Sequence, residues 1–358
     1  MTAVAAGLST PRRLTGMGMI ALLGAVLGAA VVLALGSGAM AIPPRQVLGI
    51  LFDALADPLA KPGSIEGSVV LMVRLPRVVL GALAGATLAL AGATMQALFR
   101  NPLADPGVLG VSAGAAAGAV AMIVMGERLQ AYLLPGLAPW LVPCVGLIGG
   151  LVATAAVYAS ARGAGAAQGL TLLLAGIAVN AMAMAATGLL TFFSNDAQLR
   201  NITFWMLGSL AHGTWQALTP AAVLMAAAMA LMLSLAARLD VLLLGEREAR
   251  HLGVDPVAVR RRATLGVALG VGAAVAITGV IGFVGIVAPH LVRLMIGPGH
   301  RTLLPASALL GASLLLLADL VARTAVAPAD MPIGIVMAFV GGPFFLWLLT
   351  RSAKRMAG

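Results

Sequence analysis

The chain has 358 residues, of which 61% are hydrophobic and only 9% charged, with a formal net charge of +10. A soluble domain carries about 25% charged residues, so this composition excludes a soluble globular protein and indicates one that crosses a membrane repeatedly. The basic residues stand in short segments between apolar runs and aromatic residues make up 4% of the chain, so nucleic acid is not an expected partner.

Apolar runs of the length that crosses a bilayer, roughly 20 residues each, predict ten membrane-spanning helices. The predicted spans are 17–42, 76–98, 109–125, 138–159, 169–192, 215–236, 263–280, 281–297, 303–322 and 332–350. The first could be a signal peptide, but it is much longer than the apolar core of about 7–15 residues that such peptides have, which favours an uncleaved span. The stretch 263–297 could be one helix, but its glycines and Pro289 favour two. We therefore predict an all-α polytopic membrane protein, with residues 1–358 forming a single transmembrane domain.

The distribution of positive charge predicts the orientation of the spans. An even number of spans places both termini on one side, and that side then carries all but seven of the 22 Lys and Arg residues. The seven on the other side are Arg45, Lys61, Arg74, Arg77, Arg128, Arg200 and Arg323. The positive-inside rule therefore predicts that both termini are cytoplasmic. Glycines four residues apart, such as Gly81/Gly85 and Gly114/Gly118, predict close helix packing within the lipid.

Three arginines stand at the outer ends of predicted spans. Arg74 and Arg77 form an RLPR motif before the second span, and Arg323 ends the ninth. Arginine forks bind carboxylates well, so these residues could form a positive rim for an external protein. Ordinary snorkelling at the membrane interface is the alternative. Asp319 precedes Arg323 by four residues, which predicts a structural ion pair on one helix face.

The longest polar interruption, about 238–262, is predicted to be cytoplasmic. Within it, GEREARHLGV at 245–254 has the pattern of a short amphipathic helix that ends at Gly253. An apolar face is expected from the following side chains: Leu242, Leu243, Leu244, Ala249 and Leu252. This face indicates a docking helix for a cytoplasmic protein. The alternative is a helix lying on lipid headgroups, with Arg260, Arg261 and Arg262 against anionic lipid.

Short motifs that match enzyme active sites lack the sequence context that their chemistry needs. Gly110 to Gly114 matches the G-x-S-x-G pattern of serine hydrolases, but it lies in a small-residue helical run with no strand before it. The four histidines have no metal-site spacing, so no metal site is predicted. Lysine occurs only at Lys61 and Lys354, and neither belongs to a phosphate-binding loop. Cys144, the single cysteine, is interpreted as inert packing, and Asp105 in NPLADPG as a turn residue. The chain is therefore not expected to be an enzyme, and any use of ATP must come from a partner.

The order of several segments resembles one known family. These segments are RLPR at 74–77, ALAGATMQALFRNPLADPGVLGVSAG at 89–114, GFVGIVAPHLVR at 282–293 and MPIGIVMAFVGGPFFLWLL at 331–349. They are similar to the FecCD-type permease subunits of bacterial ABC importers for iron–siderophore complexes, heme and vitamin B12. The family usually has an acidic residue before the proline of the last motif, where this chain has Met331 with Asp330 one place earlier.

The resemblance implies a type II ABC importer permease with ten transmembrane helices in the bacterial inner membrane. It implies a homodimer, two ATPase subunits that bind ATP and Mg²⁺, a periplasmic binding protein, surrounding lipid, and no permanently bound cofactor. By the same resemblance, the binding protein would dock on Arg74, Arg77 and Arg323. The ATPase would contact Gly245, Glu246, Glu248, Ala249, His251, Leu252 and Gly253. The translocation pathway and its gate would include Thr171, Asn180, Met184, Thr187 and Thr191.

The cargo is predicted from a shorter segment. QLRNITFWMLGSLAHGTW at 198–215 looks more like the heme and B12 members of the family than the siderophore members, and heme is favoured. Vitamin B12 and ferric siderophores remain alternatives. A different class, an ion-coupled secondary transporter, would need carboxylates buried near the middle of a span, and no acidic residue stands near a predicted span centre.

Overall fold

The computed structural model describes residues 16–57, 62–130, 138–162 and 168–357, and within these ranges it contains helices and no strand. The helices, in chain order, are α1 Gly16–Gly36, α2 Pro44–Ala56, α3 Ile65–Ser68, α4 Leu75–Phe99, α5 Val111–Gln130, α6 Ala138–Ser160, α7 Gln168–Phe192, α8 Asp196–Leu207, α9 Trp215–Ser234, α10 Ala236–Leu243, α11 Glu246–His251, α12 Pro256–Thr278, α13 Val284–Ile296, α14 His300–Thr324 and α15 Ile333–Ala357. A π-helical segment, Val69–Arg74, joins α3 to α4, and a 3₁₀ helix, Pro106–Leu109, precedes α5. The predicted all-α class is confirmed.

Helices long and apolar enough to cross a membrane occupy most of the predicted spans. Among the described residues there are seven: Gly16–Gly36, Ile65–Phe99, Pro139–Ser160, Gly169–Phe192, Trp215–Ser234, Pro256–Thr278 and His300–Thr324. Shorter apolar helices, Val111–Gly126, Val284–Ile296 and Ile333–Leu348, lie at the positions of the other three predicted spans. A polytopic membrane protein is therefore established, and a count of ten crossings stays a prediction.

Several helix boundaries differ from the predicted spans. The first span ends at Gly36 rather than residue 42, because the chain turns there and the N–H of Ile42 returns to the carbonyl oxygen of Gly36 at 2.9 Å. The seventh begins at Pro256 rather than 263, because Asp255 caps it by accepting a hydrogen bond from the N–H of Val257 at 2.9 Å. The helices α2, α8 and α10 were not predicted. The division of 263–297 into two helices is confirmed by α12 and α13.

The helix α4 forms the centre of the bundle and packs against α9, α12, α13 and α14. Glycines allow these contacts: a Cβ added at Gly92 would lie 1.8 Å from the carbonyl oxygen of Gly285, and one at Gly85 would lie 2.4 Å from that of Gly311. Such separations are far below van der Waals contact, so the two backbones touch directly. The close packing predicted around Gly85 is confirmed. Cys144 is exposed on α6, so its interpretation as packing within the chain is wrong.

Candidate functional site

Two of the three predicted docking arginines bind the end of α1. Arg74 Nη1 donates to the carbonyl oxygen of Leu35 at 2.7 Å, and Arg323 Nη1 donates to that of Ser37 at 3.0 Å. Arg323 Nη2 donates to the carbonyl oxygen of Ala34. The last carbonyls of a helix have no partner within the helix, and a cation is favoured at that end. These arginines therefore hold the C-terminus of α1 against α4 and α14.

The third arginine, Arg77, binds two carboxylates. Its Nη2 lies 2.8 Å from Asp319 Oδ1, and its Nη1 lies 2.9 Å from Asp330 Oδ2. Asp319 is 2% exposed, and its Oδ2 also lies 3.6 Å from Arg323 Nε. The i,i+4 ion pair predicted for Asp319 and Arg323 is present. However, the closer partner of Asp319 is Arg77, which stands 242 positions earlier in the chain.

These groups border a cavity of about 760 Å³ at this end of the bundle. Its lining includes the following residues: Gly38, Met40, Val73, Arg74, Arg77, Arg323, Pro328 and Asp330. Arg74 as a whole residue is 7% exposed, so the expectation of three arginines projecting as an open rim is wrong for Arg74. Its guanidinium is satisfied by backbone carbonyls of the chain itself, and the guanidinium of Arg323, whose side chain is 8% exposed, is held in the same way. Three guanidinium groups face two carboxylates here, which leaves the cavity with an excess of positive charge.

At the other end of the bundle, two side-chain pairs fix the polar segment at about 238–262, called the coupling segment below because the family resemblance predicts that it contacts an ATPase. Arg260 on α12 binds Glu246 on α11, with Nη2 and Oε1 2.5 Å apart. Asp240 on α10 accepts hydrogen bonds from the backbone N–H of His300 at 2.9 Å and lies 2.6 Å from its Nδ1. The Asp240–His300 pair, which links α10 to α14, was not predicted, because nothing in the local pattern connects residues 60 positions apart.

The apolar side chains of the coupling segment point in two directions. Leu244 and Leu252 are 64% and 61% exposed, whereas Ala249 is fully buried. The placement of Ala249 on the partner-facing surface is therefore wrong, because its methyl group packs inside the chain. Glu248 and His251 are exposed. The bounding glycines, Gly245 and Gly253, have φ angles of 130° and 77°, which other residues adopt with strain.

The predicted pathway residues of α7 also differ in how far they are exposed. Met184 is 69% exposed, and Thr171 is partly buried. The hydroxyl groups of Thr187 and Thr191, which are half-buried, donate to carbonyl oxygens one turn back, at 2.9 and 2.8 Å. Asn180 is turned into the chain, where its Nδ2 donates to the carbonyl oxygen of Gly107 at 3.0 Å. The amide of Asn180 therefore holds the loop before α5 against α7.

The loop from Arg100 to Gly110, which joins α4 to α5, is bounded by left-handed residues. Arg100 has φ 49° and Gly110 φ 79°. Asp105 Oδ1 accepts a hydrogen bond from the N–H of Gly107 at 2.8 Å and so starts the 3₁₀ helix, which confirms Asp105 as a turn residue. Burial raises the pKa of the Asp105 carboxyl, and the hydrogen bond from Gly107 acts in the opposite direction.

A polar contact inside the bundle was also missed from the sequence. Gln96 is 3% exposed on α4, and its Nε2 donates to the carbonyl oxygen of Gly285 at 3.2 Å. Arg293 Nη2 donates to Gln96 Oε1 at 2.9 Å. A glutamine within an otherwise apolar run is a signal that could have identified this helix-to-helix link. Among the described residues there is no group of three potential metal ligands. The features that the structure does show are side chains that anchor helix ends, a cavity beside Arg77, and exposed apolar faces.

Comparisons with known proteins agree with this arrangement. Residues 17–351 match the model of the FecCD transport family. The chain is 44% identical over 338 residues to the hemin transport system permease protein HmuU of Yersinia pestis, an alignment that covers 94% of this chain and 97% of that protein. It is 41% identical over 313 residues to the cobalamin import system permease protein BtuC of Halobacterium salinarum, with 86% and 81% covered.

A solved structure described as a metal-chelate type ABC transporter in an inward-facing conformation has the same fold. The two chains superpose with a TM-score of 0.80 at 31% sequence identity, covering 93% of this chain and 99% of the other. The relatives are permease subunits, which are not themselves enzymes. The chain belongs to the FecCD transport family and is an inner-membrane permease subunit of an ABC importer.

Proposed function

We propose that this permease carries heme, as hemin, from a periplasmic binding protein to the cytoplasm. The observation that carries the proposal is the 44% identity to a hemin permease along 94% of the chain. Cobalamin is the second candidate, because the identity to a cobalamin permease is 41% along 86% of the chain. A ferric siderophore is a third possibility within the same family.

The exposed face of α7 suits a large, mostly apolar cargo. Met184 is 69% exposed, and the hydroxyls of Thr187 and Thr191, which follow it on the same side of the helix, are satisfied within the helix. Methionine side chains are flexible and polarisable, and they adapt to flat aromatic surfaces. A pathway lined in this way would bind a metal complex weakly enough to release it.

A second copy of the chain would complete the pathway. Only 11% of the apolar stretch in Gly169–Phe192 is buried, and large side chains are exposed on α7 and α15, such as Phe192 at 81% and Phe339 at 78%. One chain therefore supplies one wall. We propose a homodimer in which α7 of each copy faces the two-fold axis, with both termini of each chain cytoplasmic.

The cavity at Arg77 and Arg323 is proposed as the contact for the binding protein. An acidic side chain entering it could replace Asp330, which is 44% exposed, as the partner of Arg77. At the opposite end, α11 with Leu244 and Leu252 is proposed to contact one of two ATPase subunits. ATP and Mg²⁺ would bind to those subunits, and nucleotide would shift the assembly between two conformations by binding one of them more tightly.

An ion-coupled secondary transporter is disfavoured by the placement of the buried carboxylate. Asp319 lies in the last two turns of α14 and is paired with Arg77 and Arg323. A carboxylate that carries ions through the membrane is expected near the middle of a span, whereas Asp319 stands near the end of one and is already engaged by two arginines of the chain.

Uptake into proteoliposomes that contain the permease, its ATPase and its binding protein tests the proposal. Radiolabelled hemin, cyanocobalamin and a ferric siderophore would compete in one assay, with an uncoupler present to remove the proton gradient. We expect ATP-dependent uptake of hemin that survives the uncoupler. Uptake of another complex would overturn the cargo and leave the importer, whereas uptake that collapses with the gradient would contradict ATP drive.

A further inference from the structure

The loop from Arg100 to Gly110 is tied at one end to the coupling segment. Arg100 Nη2 donates to the carbonyl oxygen of Leu242 at 2.9 Å. Leu242 stands in the last turn of α10, where carbonyls lack partners within the helix and a cation is favoured. Only Leu244 and Gly245 separate α10 from α11, so the loop is fixed directly beside the proposed ATPase contact.

At its other end the same loop is tied to α7. Asn180 Nδ2 donates to the carbonyl oxygen of Gly107 at 3.0 Å. One turn earlier on α7, Gly176 lies so close to the loop that an added Cβ would stand 1.8 Å from the carbonyl oxygen of Val108. A hydrogen bond and a backbone contact therefore hold the 3₁₀ helix against α7.

The loop between these two ends is internally braced. Asn101 Oδ1 accepts a hydrogen bond from the N–H of Leu103 at 2.9 Å, and Asp105 Oδ1 accepts one from Gly107 at 2.8 Å. These local bonds restrict the backbone, so displacement at one end is passed on instead of being absorbed by bending.

A cavity separates α7 from the coupling segment along the direct route. It has a volume of about 340 Å³ and is bordered by Leu170 and Leu173 of α7 on one side and by Leu242 and Glu246 on the other. Side chains that face each other across an open cavity transmit little force. A braced loop that is fixed at both ends transmits force between the elements it joins.

We propose that the loop from Arg100 to Gly110 transmits movement of α10 and α11 to α7, with Arg100 and Asn180 as positioning residues at its two ends. This inference rests on the proposed function, since it assumes that an ATPase moves α11. It assigns to Arg100 and Asn180 a role in linking ATP hydrolysis to transport, and none in binding cargo.

The test compares ATP hydrolysis and hemin uptake by the assembled transporter. Arg100→Gly keeps the left-handed backbone that position 100 needs and removes only the side chain. Asn180→Leu keeps a similar volume without the amide. We expect near wild-type assembly and ATP hydrolysis, but about tenfold less hemin moved per ATP. Arg100→Lys, which keeps a cationic donor, should restore part of the ratio, and Arg162→Gly, which removes an exposed arginine at the same end, should leave it unchanged.

A cargo-independent measurement separates this inference from the proposed function. Spin labels at Leu174→Cys on α7 and Leu317→Cys on α14, in a Cys144→Ser background, report the distance between the two helices. We expect ATP to change this distance in the otherwise wild-type chain and not in Arg100→Gly or Asn180→Leu. An ATP-dependent change that persists in both variants, or hydrolysis and uptake that fall together, would overturn the inference. A change in the wild type without hemin uptake would refute the cargo alone.

Discussion

The helices α4 and α7 are equally hydropathic, yet they lie in opposite surroundings. In an apolar 18-residue part of the Ile65–Phe99 stretch, 78% is buried inside the chain, against 11% of the corresponding part of Gly169–Phe192. Glycine contacts distinguish them: Gly85 and Gly92 of α4 touch neighbouring backbones, while Gly169 and Gly188 of α7 have no atom within 4 Å of an added Cβ.

The difference shows that hydropathy identifies a helix that can cross a membrane but not what that helix faces. The helix α4 is anchored by the ion pair of Arg77 with Asp319 and is packed along its length against α9, α12, α13 and α14, and it forms the fixed centre. The helix α7 packs against α5, α6 and the 3₁₀ helix, with Gly176 and Asn180 at the last of these, and leaves most of its surface for lipid or a second copy.

Removal of the carboxylate that anchors α4 should have the largest effect. Asp319→Ala leaves Arg77 and Arg323 without their shared, 2% exposed partner, which should destabilise the fold by about 3–5 kcal/mol. Thermal unfolding of the purified permease in detergent measures this loss. Asp330→Ala is the matched control, because its carboxylate is 44% exposed and its pair should contribute about 1 kcal/mol or less. Equal effects of the two substitutions would contradict the anchor at Asp319.

A methyl group added to each helix should reproduce the contrast between them. Gly92→Ala places a Cβ 1.8 Å from the carbonyl oxygen of Gly285, and separating α4 from α13 should destabilise the fold by about 3 kcal/mol. Gly188→Ala on α7 meets no atom and should be neutral or stabilising by about 0.5–1 kcal/mol. Melting temperatures of the two variants measure these changes in stability. A large fall in the melting temperature of Gly188→Ala would show that α7 is tightly packed at Gly188.

A change at the coupling segment should weaken assembly without affecting the centre. Leu252→Glu introduces a charge at a side chain that is 61% exposed, and we expect about tenfold weaker binding of the ATPase subunit at an unchanged melting temperature. Leu48→Glu changes a similarly exposed leucine on α2, at the opposite end of the bundle, and serves as the control. Co-purification of the ATPase at several concentrations measures the effect, and unaltered binding by Leu252→Glu would remove α11 from the proposed contact.

The sequence predicted the parts of the fold that depend on local pattern. Apolar length located the long helices, and Asp319 with Arg323 could be paired because they stand one helical turn apart. The contact of Arg77 with Asp319 could not be predicted, since 242 positions separate them and only the packing of α4 against α14 brings them together. The same holds for Asn180, which the family resemblance assigned to the pathway, because only the fold shows that its amide binds the carbonyl oxygen of Gly107. The positive charge of Arg260 suggested contact with anionic lipid as an alternative. In the structure its side chain is 8% exposed and pairs with Glu246 of α11.

The central claim is that α7 lines a water-accessible pathway while α4 forms a fixed interior. It is tested most directly by the reactivity of single cysteines in the assembled transporter, in a Cys144→Ser background. Met184→Cys on α7 and Thr87→Cys on α4 replace side chains that are 69% exposed and fully buried, respectively. With a membrane-impermeant thiol reagent, we expect Met184→Cys to react at a rate that changes with ATP or hemin, and Thr87→Cys to stay unreactive in every state. Reaction of Met184→Cys only with lipid-soluble reagents, at a rate independent of ATP and hemin, would place this face of α7 against lipid and contradict the account.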